Sequence, residues 1–358
     1  MFGIKKGDLM RNRARVLAFG LGISWLVSAC QPGNEESSSD LSALANANYN
    51  CQVIPACDAK APNPEALISF NGKKPSGTAW HRGHDQYFKE GEDQWVIGKF
   101  NYGNLLVRKD LKNEQVDVYL LRGCGDSWEK LGTALTSSGS NPTIEGIPDD
   151  GGRLYFQIPL DKQLEVGRHR LRLVVAGDHS ATELFIEVIP TGVPLFVSDV
   201  DGTLTTSELA ELGGTITDKI PEVNEGAPEA MQALSTKGYR PIYLTARAEF
   251  GVERTREFVQ DRQLPAGRIE TSLAPLIGLR GDKAVKYKSE ALNRLTQKGF
   301  DIAYAFGNTE TDAAAYENAG IPTESRYFFK YDDKKFGGQR INSYRDLNKF
   351  ASLSGVCN

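Results

Sequence analysis

Two carboxylates stand two residues apart at the end of an apolar stretch, in Pro194-Leu-Phe-Val-Ser-Asp199-Val-Asp201-Gly202-Thr203-Leu-Thr205. Residues 195–200 read as a strand, so both acids fall at its carboxyl end. An aspartate in that position can attack a phosphoryl group and form an aspartyl-phosphate, which makes Asp199 the candidate nucleophile. Asp201 can protonate the leaving alkoxide and later activate water. Gly202 lets the chain bend around a phosphate, with Thr203 beside it as a further phosphate contact. Hard oxygen ligands of this kind suit Mg²⁺. The plainer reading is an Asp-Gly turn with two solvated acids.

Three later segments supply what that chemistry still lacks. Tyr243-Leu-Thr245-Ala246-Arg247 ends a second apolar strand, where the Thr245 hydroxyl and the adjacent N–H of Ala246 can hold phosphoryl oxygens. A helix then carries Lys283, Lys286 and Lys288 beside an apolar stripe of Ala284, Val285, Ala291, Leu292 and Leu295. Helical spacing puts Lys288 within the stripe and turns Lys283 and Lys286 away from it. A lysine buried there needs an anionic partner. Phe306-Gly307-Asn308-Thr-Glu-Thr-Asp312 follows another strand and opens a helix. Asn308 and Asp312, with Asp199 and Asp201, form the expected direct or water-mediated Mg²⁺ set; Asn308 or Thr309 alone would pass for a helix cap. His81 and His84 form His-x-x-His without an evident third ligand and read as loop residues, and Trp80, Trp95 and Trp128 as core or rim.

The elements that must position these groups divide the chain. Residues 1–29 hold a basic start and an apolar run from Val16 to Val27, too short for a comfortable membrane span, and read as a signal peptide. Residues 30–65 are polar and read as a flexible tether. Residues 66–190 alternate at period two, as in Val116/Val118/Leu120, Leu154/Phe156/Ile158, Leu171/Leu173/Val175 and Leu184/Ile186/Val188, and predict an all-β, immunoglobulin-like sandwich. From 191 to 358 strand candidates at 195–200, 241–245, 268–273, 302–306 and 325–329 alternate with helices, which predicts a parallel, Rossmann-like α/β domain. Such sheets bind ligands at the carboxyl ends of their strands, where the motifs fall. The 358 residues carry 40% hydrophobic and 25% charged side chains and a net charge of −4, normal for a globular protein and poorly suited to nucleic acid. Oligomeric state is not legible.

The segments at 199–207, 243–248, 288–295 and 306–312 resemble the four motifs of the haloacid dehalogenase superfamily. Asp199 to Ser207, Leu244 to Ala248 and Phe306-Gly307-Asn308 are most similar to the catalytic domain of lipin-type phosphatidate phosphatases, which share the Asn at position 308. The likeness covers roughly residues 195 to 330. It implies a Mg²⁺-dependent phosphomonoester hydrolase that turns phosphatidic acid into diacylglycerol, or one acting on another exposed phosphomonoester. The gaps between motifs leave no room for a large cap, which suits a bulky or membrane-bound substrate. A related domain ends multidomain phosphatidylinositol transfer proteins; it typically lacks the second aspartate and binds phosphatidic acid without hydrolysis. Asp201 is kept here, which favours catalysis over such a binding module. The pairing with a β-domain is reminiscent of actin-patch-type phosphatidate phosphatases.

Val27-Ser28-Ala29-Cys30 resembles the bacterial lipobox, which implies an acylated Cys30 holding an exported protein on a membrane. Gln31 in place of the Asp of inner-membrane lipoproteins favours the outer membrane. Cys51, Cys57, Cys124 and Cys357 then suggest two disulfides, with three connectivities open.

Overall fold

The computed structural model describes residues 54–55, 57–104, 106–206, 220–274, 276 and 278–356. The signal segment at 1–29, Cys30 and most of the tether at 30–65 lie outside the described residues, as do Cys51 and Cys357.

The first half contains β1 (Thr78–Ala79), β2 (Arg82–Gly83), β3 (Gln86–Lys89), β4 (Trp95–Lys99), β5 (Asn101–Gly103), β6 (Arg108–Asp110), β7 (Gln115–Leu121), β8 (Trp128–Leu135), β9 (Arg153–Gln157), β10 (Gly167–Val175) and β11 (Ala181–Ile189). One sheet runs β3-β11-β10-β7-β8; the facing strands are β2-β4-β9, with β1-β5-β6 alongside. Pairing is antiparallel except where β3 lies parallel to β11. Period-two alternation explains the core. Val116, Val118 and Leu120 of β7, Leu171 and Leu173 of β10, and Leu184, Ile186 and Val188 of β11 meet Val96 and Leu154 of the facing strands. On the outer face Arg170 and Arg172 of β10 both reach Glu183 of β11. Cys57 is bonded to Cys124, pinning the incoming chain to the turn after β7.

The second half alternates strand and helix: β12 (Leu195–Ser198), α1 (Ala227–Thr236), β13 (Arg240–Ala248), α2 (Val252–Asp261), β14 (Arg268–Ser272), α3 (Asp282–Gln297), β15 (Ile302–Gly307), α4 (Glu310–Asn318), β16 (Arg326–Phe329) and β17 (Gln339–Ile341). All its pairs are parallel, in the order β14-β13-β12-β15-β16-β17. The strand β17 and the helical turn Tyr344–Ser352 go beyond the elements expected from periodicity. β12 shows how one sheet buries both faces. Phe196 points into the cluster with Met231 and Leu234 of α1 and Phe258 of α2, whereas Leu195 and Val197 point to the cluster with Leu292 and Leu295 of α3. The chain enters at β12, moves out to β14, then returns to β15 on the other side of β12. That reversal opens a crevice at the carboxyl ends of β12 and β15.

The described residues of both halves belong to one compact unit, and buried polar contacts join the halves. β14 is an edge strand, and β3 with its lead-in covers it. Asp85 accepts the N–H of Ile269 at 3.2 Å, and the Tyr87 hydroxyl accepts the N–H of Arg268 at 3.0 Å while donating to Pro241 O at 2.6 Å. Arg240 pairs with Glu187 at 3.1 Å.

Candidate functional site

β12 delivers Asp199 to the crevice, and the Asp199 N–H donates to Phe306 O of β15 at 2.9 Å, which fixes the strand end. The chain then turns sharply. Gly202 adopts φ +73°, a left-handed conformation that a side chain would strain, and its N–H donates to Thr205 Oγ1 at 2.9 Å. From outside the turn, Asn224 donates to the carbonyls of Thr203 (2.7 Å) and Thr205 (3.0 Å), and the Tyr344 hydroxyl to that of Thr203 (2.9 Å). The missed carboxyl-terminal turn therefore braces the motif loop.

Asp199 is buried. Its Oδ1 accepts from Lys288 Nζ at 2.6 Å, and the same ammonium donates to Asp312 Oδ1 at 2.6 Å. Thr203 Oγ1 lies 2.9 Å from both Asp199 Oδ2 and Asn308 Oδ1, and its one proton satisfies either at a time. Asp312 Oδ2 accepts the N–H groups of Asn308 (3.0 Å) and Thr309 (3.1 Å) in a capping box that starts α4. Helical phase thus places Lys288 as expected, inward between two carboxylates, with Lys286 exposed. Burial pushes the Asp199 carboxyl up to about 7, against the pull of Lys288. Burial also draws Lys288 down, but Asp199 and Asp312 outweigh it and hold the ammonium above its ordinary value.

Asp201 turns away from Asp199 toward β13. Arg247 Nη2 donates to its Oδ1 at 2.5 Å, Nε to its Oδ2 at 2.9 Å, and Thr245 Oγ1 to Oδ2 at 3.0 Å. The far side of the guanidinium donates to Thr255 Oγ1 at 3.1 Å. A carboxylate gripped by a bidentate arginine and a hydroxyl is poised as an acceptor, not as a proton donor to a leaving group. Asp199, Thr203, Lys288, Asn308 and Asp312 therefore form one connected cluster, and Asp201, Thr245 and Arg247 a second beside it. Oxygens that could face a divalent cation are those of Asp199 and Asn308. Among the described residues no group of three or more acidic, histidine or cysteine side chains converges as a metal site.

Two residues past Arg247, Glu249 is buried and joins the halves. It accepts from Arg82 Nη2 at 2.5 Å, from Arg153 Nη1 at 3.2 Å, and meets His84 Nε2 at 3.0 Å. Burial would raise its pKa, but His84, Arg82 and Arg153 hold it well below the usual glutamate range. His84, in the loop between β2 and β3 as expected, is thus also a contact between halves, while His81 meets Ser180 Oγ at 2.9 Å. Nothing in the sequence pairs Glu249 with arginines about a hundred residues or more upstream. Arg247 sits in the second motif, where only the proximity of Asp201 gives it a task.

Residues 196–330 match the family model described as PITM 1-3, LNS2 domain, and residues 79–188 match PITM 1-3, beta-sandwich domain. Protein retinal degeneration B of Drosophila melanogaster is 29% identical over 257 residues, 71% of this chain and 18% of that protein. Human membrane-associated phosphatidylinositol transfer protein 1 is 29% identical over 252 residues, covering 70% and 18%. The human protein 3 of that name is 27% identical over 264 residues, covering 73% and 24%. The chain spans about a fifth of the length of these relatives.

These matches correct several expectations. The similarity runs through both halves to the PITM architecture, not to lipin-type phosphatases. The expected phosphatidate phosphatase falls with it, since the human relatives are named phosphatidylinositol transfer proteins and Asp201 is tied to Arg247. The exported outer-membrane lipoprotein is corrected too: the human relatives are named membrane-associated transfer proteins, and nothing supports acylation of Cys30. Among the described residues no helix is long and apolar enough to cross a membrane.

Proposed function

We propose that this chain is a membrane-associated lipid-binding module whose α/β half holds the phosphate of an anionic phospholipid, of the phosphatidic acid class, without hydrolysing it. The observation that carries the reading is the grip of Arg247 and Thr245 on Asp201, beside a buried lysine and a glycine turn. The turn and cations suit a phosphate, while the one candidate proton donor is engaged. The names of the relatives, phosphatidylinositol transfer proteins, support a phospholipid. In this reading Gly202, Thr203, Thr245 and Ala246 line the anion, and Lys288 and Arg247 supply positive charge. The hard oxygens of Asp199 and Asn308 would hold Mg²⁺, which would supply further positive charge for the phosphate, with Asp312 orienting Lys288.

The same proposal takes the α/β half, from residue 191, as a haloacid dehalogenase-type Rossmann-like fold without a large cap. The strand order and the acid-bearing turn after the first strand support it. An immunoglobulin-like topology for residues 66–190 rests on the facing sheets and on β11 ending at Ile189.

Calorimetry with dihexanoyl phosphatidic acid, in Mg²⁺ and in EDTA, tests the reading together with a phosphate-release assay. Saturable binding is expected, stronger in Mg²⁺, with no release above an Asp199→Asn control. Sustained release that Asp199→Asn abolishes would overturn it.

A further inference from the structure

We infer that the phosphate site opens between two apolar loop tips, one from each half, that dip into an anionic bilayer. The inference rests on the reading of that site as a lipid-phosphate site. The tips are Leu106 and Val107 on the β5–β6 turn, 74% and 62% exposed, and Leu276 on the β14–α3 loop, 37% exposed.

Both tips are tied to their surroundings through described neighbours. Asn104 Oδ1 accepts the N–H groups of Leu106 (2.9 Å) and Val107 (2.8 Å), and Asn104 N–H bonds Val107 O at 2.9 Å, so the turn is closed with both apolar side chains outward. The next residue fixes its direction. The Arg108 guanidinium lies 4.2 Å from the Phe250 ring centre and 5.0 Å from that of Trp80. Phe250 follows Arg247 by three residues. The other loop is pinned to the same strand end: Leu279 N–H donates to Ala246 O at 2.8 Å, and Gly278 packs so tightly that a Cβ there would stand 2.7 Å from that oxygen. Both loops therefore rest on residues 246–250, at the end of the strand that carries Thr245 and Arg247.

Charge selects the partner. Lys109 flanks the first tip, and Arg280 and Lys283 follow the second; all three are exposed, with Asp282 between the last two, on a chain of net charge −4. Apolar tips with basic neighbours match a surface whose headgroups are anionic and whose interior is apolar. Tips held against the strand end that carries Thr245 and Arg247 would also bring that site to headgroup level, where a lipid phosphate resides.

The test uses the full chain and phosphatidylcholine vesicles doped with phosphatidic acid, and compares Leu106→Asp/Val107→Asp and Leu276→Asp with wild type. Burial of a leucine-sized side chain predicts a loss of vesicle partitioning of roughly tenfold or more for the double variant. Calorimetric binding of dihexanoyl phosphatidic acid should be unchanged, which also shows that the variants are folded. A second readout adds one tryptophan at a time and measures quenching by bromine-labelled lipids over the wild-type background. Leu106→Trp and Leu276→Trp should gain quenching. Leu160→Trp should not: Leu160 is 82% exposed but follows the end of β9 remote from Arg153 and Glu249. Wild-type partitioning of the Asp variants, or equal quenching at all three positions, overturns the inference. If the Asp variants lose vesicles while wild type never binds the soluble lipid, the tips stand and the phosphate reading fails.

Discussion

Arg247 reaches Asp201 through both Nε and Nη2, at 2.9 and 2.5 Å, and this pairing gives the two residues opposite expected effects on anion binding. An incoming phosphate competes with the Asp201 carboxylate for the same guanidinium. Arg247→Ala removes the charge and should weaken dihexanoyl phosphatidic acid by about ten- to a hundredfold, the scale of one charge-assisted hydrogen bond of about 1.5–3 kcal/mol. Asp201→Asn keeps the shape but relaxes the competitor, and should leave affinity unchanged or tighten it. A hydrolase with Asp201 as general acid gives another pattern, in which Asp201→Asn abolishes phosphate release. Calorimetry and the release assay on the two variants separate these cases.

At the scale of the element, α3 shows how a helix phase sets the worth of a lysine. Lys288 is 4% exposed and bridges Asp199 and Asp312, whereas Lys286 is exposed and reaches Glu290 only at 3.9 Å. Lys288→Met strands two buried carboxylates and should cost about 3–5 kcal/mol in urea denaturation. Lys286→Ala should stay within about 0.5 kcal/mol. A reversed ranking would remove the bridge from the account. That contrast was legible in the sequence because period 3.6 is local, as is the period two that foretold β7, β10 and β11. The acid-bearing turn was legible for the same reason. β17 and the Tyr344–Ser352 turn carried no such signal: Gln339–Ile341 is a short edge strand exposed at two of its three residues. The role of Arg247 was hidden because its partner Asp201 lies 46 residues away. Asp201 itself misled, since residue type shows what a carboxylate can do and only its partners show what it does.

The whole molecule is held at its junction by charges that neither half could bury alone. Glu249 of the α/β half is 4% exposed, and Arg82 and Arg153 of the sandwich are 5% and 1% exposed; Glu249 and Arg82 find their counter-charge in the other half, while Arg153 also pairs with Asp150 of its own at 2.7 Å. Glu249→Gln keeps the volume but leaves the buried Arg82 guanidinium without a carboxylate and Arg153 with Asp150 alone, and should cost about 3–5 kcal/mol in denaturant unfolding near neutral pH. Acid should reproduce the effect in the wild type. The folded-state pKa of Glu249 is well below the ordinary 4.5, so the folded protein binds fewer protons than the unfolded chain in that range. Stability from this contact is therefore complete above the unfolded pKa and lost as pH falls below it toward the folded value. Asp149 and Asp178, held down to about 2, add acid losses of the same sign, so the informative quantity is the gap between wild type and Glu249→Gln. That gap should be widest near pH 7 and should narrow as pH drops below about 4.5. Because Glu249 follows Arg247 by two residues, undocking should also loosen the strand end that carries the phosphate site. Lipid binding should then weaken in Glu249→Gln at neutral pH although no contact to the phosphate is removed. A gap independent of pH, or unaltered dihexanoyl phosphatidic acid affinity in a demonstrably destabilised variant, would show that the junction cements the halves without positioning the site.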